Sequence, residues 1–68
     1  SAIDDVVELL KDGKWHNLKE LAKNLQIEQQ KLKQIIRFLK NSGFIRLDKK
    51  QEKALISSDL KKTIILEH

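Results

Sequence analysis

The chain has 68 residues, 14 Lys or Arg against 10 Asp or Glu, and a formal net charge of +4. A chain of that length forms one small domain with a small core. It contains no Cys, which excludes a disulfide framework and any thiolate-ligated zinc, so stability must come from packing, helped in some such chains by association.

The charge is unevenly placed. Residues 1–13 carry Asp4, Asp5, Glu8 and Asp12 against Lys11, a local balance of −3. Residues 28–53 carry Lys31, Lys33, Arg37, Lys40, Arg46, Lys49, Lys50 and Lys53 against Glu28, Asp48 and Glu52, a balance of +5. A basic half opposite an acidic one is what a phosphate-facing surface produces, and a solvated Lys-rich surface is the competing reading. No apolar run approaches membrane-spanning length and no secretory core is present, so no membrane partner and a cytoplasmic location are expected.

Ile3, Val6, Val7 and Leu10 recur at i, i+3, i+4, i+7, with Leu9 beside them, and predict an amphipathic helix over residues 2–11. Its acidic first turn suits the positive end of the helix dipole, and Gly13 supplies a left-handed residue to end it. Lys14-Trp15-His16 reads as a short extended piece. Trp15, the single Trp, is expected to cover the edge of the core rather than to stack on a base. His16 is expected at the surface, and without an acid cluster around it no metal site is expected.

Asn17 followed by Glu20 fits a capping box, and Leu18, Leu21, Ala22 and Leu25 give the helix it opens an apolar side. Gln26-Ile27 makes a turn and Glu28 starts the next helix, which runs to Asn41 and stops at Asn41-Ser42-Gly43. Leu32, Ile35, Ile36 and Leu39 form one stripe of that helix. Gln30, Lys33, Gln34 and Arg37 form another on the opposite side, with no acid among them. Long amide and guanidinium side chains of that kind reach base edges and phosphates in a DNA major groove.

Phe44-Ile45-Arg46-Leu47-Asp48 reads as a strand, Lys49-Lys50-Gln51-Glu52 as a polar tip and Lys53-Ala54-Leu55-Ile56-Ser57 as the returning strand. Without Gly or Asn at the tip, a tight two-residue turn is not expected and the loop should be longer. Ser58 is placed to cap a last short helix with Leu60 and Ile64 on its inner side. Leu66-Glu67-His68 resembles the vector-encoded start of a polyhistidine tag, so residues 1–65 are read as the domain and 66–68 as a tag remnant. Ser1-Ala2 fits either removal of an initiator Met or excision from a longer chain.

In order, these elements resemble a winged helix-turn-helix domain. Glu20-Leu21-Ala22-Lys23, Leu25, Ile27, Leu32, Ile36 and Leu39 carry the resemblance, and Asn41-Ser42-Gly43-Phe44-Ile45 completes it at the entry to the wing. The fold so implied is mainly α with a small β-hairpin: a three-helix core and a two- or three-stranded wing. The resemblance further implies double-stranded DNA as partner, with helix 28–41 in the major groove and the 44–57 hairpin as the wing. Gln29, Gln30, Lys33, Gln34 and Arg37 would then face the groove, and Lys49 and Lys50, with Lys53 behind them, would meet the backbone. Gln26 departs from the family, in which Gly is common at that turn. A transcriptional regulator is the expected context, with a homodimer or further domains supplying a second module. Fold does not settle function, and a winged-helix module that docks on another protein is the alternative.

An enzyme is not expected. There is no Cys or Tyr, no Gly-rich phosphate loop, and no carboxylate pair in an apolar setting. Ser57, Ser58 and Thr63 lack a His or Lys base at a meaningful relation. No cofactor is expected either.

Overall fold

The computed structural model describes residues 1–58. It is a small domain of three helices and a three-stranded antiparallel sheet: α1 (Ala2–Leu10), β1 (His16–Asn17), α2 (Leu18–Leu25), α3 (Gln29–Asn41), β2 (Ile45–Asp48) and β3 (Lys53–Ile56). The sheet order is β1-β3-β2. Ser58 is the last described residue; the expected final helix and the tag assignment at 66–68 lie outside the described residues.

The helix α1 starts at Ser1, whose hydroxyl accepts from Asp4 N at 3.3 Å, with Asp4 and Asp5 in the first turn. Its buried face is centred on Val6 and Leu10, with Ala2 and Leu9 beside them. Ile3, expected on that face, is 40% exposed. At 100° per residue it falls on the rim of a face centred on Val6. Gly13 is left-handed as expected (φ 75), and its N–H closes the turn on Leu10 O at 3.2 Å, but the helix itself ends two residues earlier, at a right-handed Lys11.

Trp15 is 43% exposed and is not among the residues packed on the core, which corrects the expectation for it. It immediately precedes the strand β1. His16 Nε2 lies 2.9 and 3.0 Å from the two carboxylate oxygens of Asp12, which also accepts from Lys14 N at 2.9 Å. The bond to His16 first, and the one from Lys14 second, hold the Asp12 carboxyl below its ordinary value of 3.8. A depressed carboxyl pKa favours the folded state above the ordinary value, and that contribution vanishes as the pH falls through the lower, folded one. Asp12 is exposed and His16 half-buried, so solvent screens the pair and the effect is small. Asp12→Asn should flatten the acid limb of stability below about pH 4 in urea titrations. Parallel acid limbs for both proteins would mean that the pair contributes nothing.

Asn17 closes β1 and caps α2, its side-chain oxygen accepting from Lys19 N at 2.9 Å and Glu20 N at 3.1 Å. The return bond from Glu20 does not form. The Asn17 backbone lies in the ladder opposite Lys53 instead.

The two helices α2 and α3 end in the same motif. After α3, Phe44 N donates to Leu39 O at 2.9 Å and Gly43 N to Lys40 O at 3.0 Å, around a left-handed Gly43 (φ 79). After α2, Ile27 N donates to Ala22 O at 2.9 Å and Gln26 N to Lys23 O at 3.2 Å, around a left-handed Gln26 (φ 55). Both are Schellman arrangements, and only one has the residue that adopts this backbone without strain. A left-handed L-residue costs roughly 1–2 kcal/mol, against which glycine's greater freedom in the unfolded chain sets about 0.5–1 kcal/mol. Gln26→Gly should therefore stabilise the domain by about 0.5–1 kcal/mol, read as a raised denaturant midpoint at unchanged slope. A lowered midpoint would show that the Gln26 side chain contributes more than its backbone costs.

All four stripe residues of α3, Leu32, Ile35, Ile36 and Leu39, are buried, and they meet Val6, Leu10 and Leu21 from the other helices. Ile45, Ala54 and Ile56 close the core from the sheet, in a register that sets Ile45 against Ile56 and Asp48 against Lys53. The hairpin tip is Lys49–Glu52, longer than a two-residue turn as expected, and Asp48 Oδ1 accepts from Gln51 N at 3.0 Å within it.

Candidate nucleic-acid interface

The burial of the apolar stripe of α3 decides where its other residues go. Gln29, Gln30, Lys33, Gln34 and Arg37 are all exposed, as are Lys49 and Lys50 at the hairpin tip. Lys53 is half-buried on β3, opposite Asp48.

The seven expected contact residues do not form one cluster. A cleft of about 260 Å³ opens between α3 and the hairpin, lined by Lys33, Arg37, Lys40, Lys49 and Glu52 over Leu18, Ile36 and Leu47. A smaller depression of about 40 Å³ continues it past Lys33 to Gln29, with Lys19 on its rim. Gln30 and Gln34 project further round the helix, and Lys50 lies further out on the tip; none of them lines the cleft.

Lys40 was not among the residues expected from sequence, yet it lines the cleft. The signal was present, since Lys33, Arg37 and Lys40 stand at i, i+4, i+7 and mark one side of α3. What the sequence could not supply is the placement of the hairpin against α3, which brings Lys49 to that side.

Two features fix the hairpin there. Leu18 N, at the start of α2, donates to Glu52 O at 2.9 Å and joins the hairpin to the helical layer. Glu52 itself is left-handed (φ 52), which turns the chain from the tip into β3.

The cleft is electrostatically positive. Among the described residues the ion pairs are Ser1 N-terminus–Asp4, Lys11–Glu8 and His16–Asp12, all within the first sixteen residues. None involves Lys33, Arg37, Lys40 or Lys49. The Lys49 charge, and then the side-chain contact with it, lower the Lys40 pKa from its ordinary value, so the two ammoniums are close neighbours. Glu52 is the one acid in the lining.

Such an arrangement can attract and hold anions. The described residues contain no group of three or more His, Cys, Asp or Glu side chains able to hold a metal ion. No described helix is long and apolar enough to cross a membrane. No family model matches the chain, and no curated protein resembles it closely enough to count as a relative.

Proposed function

We propose that the chain is a winged helix-turn-helix domain that binds double-stranded DNA, with α3 in the major groove and the β2–β3 hairpin as the wing. One observation carries this reading: Lys33, Arg37 and Lys40 of α3 and Lys49 of the hairpin line a single cleft and form no ion pair among the described residues, with Glu52 the one acid beside them. The sheet order and the helix-turn-helix of α2 and α3 agree with the layout that the sequence resembles. Lys33, Arg37, Lys40, Lys49 and Lys50 neutralise phosphates, while Gln30, Gln34 and Arg37 give the sequence preference. The module binds and does not catalyse. It works in the cytoplasm as part of a transcriptional regulator, paired with a second copy or a further domain, since one module of this size reads too few bases for a useful site.

Arg37→Ala and Lys33→Ala should each weaken binding to duplex DNA without lowering thermal stability, because both side chains lie off the buried stripe. Fluorescence anisotropy with a labelled duplex, beside a thermal melt, tests this. Unchanged affinity in both variants would remove α3 from the interface.

Phe38 favours a second reading. It is 53% exposed and lies on the flank of α3 turned away from the hairpin, and Phe44 beyond the helix end is also exposed. Apolar rings outside the core suit a protein-docking surface. That reading predicts no binding to duplex DNA at low salt, and loss of a protein partner on Phe38→Ser.

A further inference from the structure

The pair Lys40 and Lys49 stands apart from the rest of the basic surface. The two residues come from different elements, the last turn of α3 and the hairpin tip, both line one cleft, and the Lys49 charge lowers the Lys40 pKa. Like charges at close range raise the energy of the free protein. Lysine stems are flexible and could splay apart in open solvent. The cleft they line also contains the partly buried Leu18 and Leu47 and the buried Ile36, an apolar floor that favours keeping lysine methylenes in the cleft. The hairpin is tied down by the bond from Leu18 N to Glu52 O, so the separation between the two elements is set by the fold.

We propose that Lys40 and Lys49 form a two-armed site for one phosphodiester group, which bridges α3 and the hairpin when the domain is on nucleic acid. The proposal rests on the DNA reading above and adds a specific contact to it. A phosphodiester carries one negative charge on two non-bridging oxygens, so each oxygen can accept from one ammonium. The anion removes the repulsion that the free protein carries. A contact of this kind holds no sequence information; it fixes the angle between helix and wing, and with it the register in which Gln30, Gln34 and Arg37 meet the bases.

The site makes two independent demands. On DNA, Lys40→Gln, Lys49→Gln and the double variant are compared with the parent across a salt series. Two lysines on one phosphate predict that the double variant loses about one unit of the log–log salt slope. Losses of about two units, with additive single effects, would mean separate phosphates and overturn the shared site. Unchanged slopes in all three, while Lys33→Gln and Arg37→Gln weaken binding, would also overturn it and leave the DNA reading standing.

The second demand needs no DNA. Melting temperatures are measured in inorganic phosphate and in chloride at matched ionic strength. The parent should gain more from phosphate than either single variant, because general salting effects are common to all of them. Lys40→Gln should also melt higher than the parent in dilute chloride, where the repulsion is least screened. An equal phosphate gain in parent and double variant would overturn the site. A parent that fails to bind DNA but shows the phosphate-specific gain would overturn the DNA reading and keep an anion site at these two residues.

Discussion

Duplex DNA of arbitrary sequence is expected to bind this domain at low ionic strength, with log K falling linearly against log salt at a slope of about −3.6 to −4.5. The figure follows from counterion release of about 0.9 per phosphate neutralised on B-DNA. On the proposed reading Lys33, Arg37 and Lys50 would each neutralise one phosphate and Lys40 with Lys49 a fourth; Lys19, on the rim of the smaller depression, would supply a fifth. Between 50 and 200 mM salt, such a slope weakens binding by roughly two orders of magnitude. Glu52 opposes this attraction from within the cleft, so Glu52→Gln should tighten binding at every salt concentration. The comparison is made by anisotropy on one labelled duplex. Absence of binding at low ionic strength would transfer the weight to the protein-docking reading, in which the exposed Phe38 and Phe44 take the place of the lysines.

How much of this was legible beforehand depends on the range of the interactions involved. Helix α3 was readable because Leu32, Ile35, Ile36 and Leu39 repeat at the helical period, and all four are buried. The strand β1 was readable only as a short extended piece at Lys14-Trp15-His16, because two residues are too few to show alternation, and its place at His16 and Asn17 is set by pairing with β3. Ile3 and Trp15 were misplaced for a related reason. Periodicity reports the face of an element and says nothing of how far the neighbouring elements extend to cover it. The outer-face residues of α3 could be named from spacing, and Gln29, Gln30, Lys33, Gln34 and Arg37 are exposed. The cleft could not, since it depends on where a hairpin far along the chain is fastened to Leu18. Lys40 fell between the two cases: its position in the row was visible, but its importance comes from Lys49. At Gln26 the sequence showed only a departure from the Gly of the family it resembles; that the turn keeps its left-handed backbone with a Gln in place is seen only in the structure.

Ile36→Ala should strongly destabilise the domain. Ile36 is 1% exposed, in contact with the central cluster and beneath the cleft. Removing its side chain beyond Cβ leaves a cavity that a small core cannot collapse around, at a cost of about 2–5 kcal/mol. A chain of this size is stable by only about 3–10 kcal/mol, so the loss takes a large part of the total and brings the midpoint close to working temperatures. Ile36→Val, which removes one methylene and keeps β-branching, should cost about 0.5–1.5 kcal/mol and leave a folded protein in which the cleft can still be assayed. Arg37→Ala, one residue on and exposed, should change stability by no more than about 0.5 kcal/mol while weakening DNA binding. Adjacent residues on one helix thus separate folding from recognition by a rotation of 100°. The orientation assigned to α3 is wrong if Ile36→Ala folds with parental stability while Arg37→Ala melts the domain, because the buried and exposed faces would then have exchanged places. If Ile36→Val folds but loses affinity as steeply as Arg37→Ala, the floor of the cleft shapes the contact as well as supporting it. Lys33, Lys40 and Lys49 would then depend on the packing beneath them to hold their spacing.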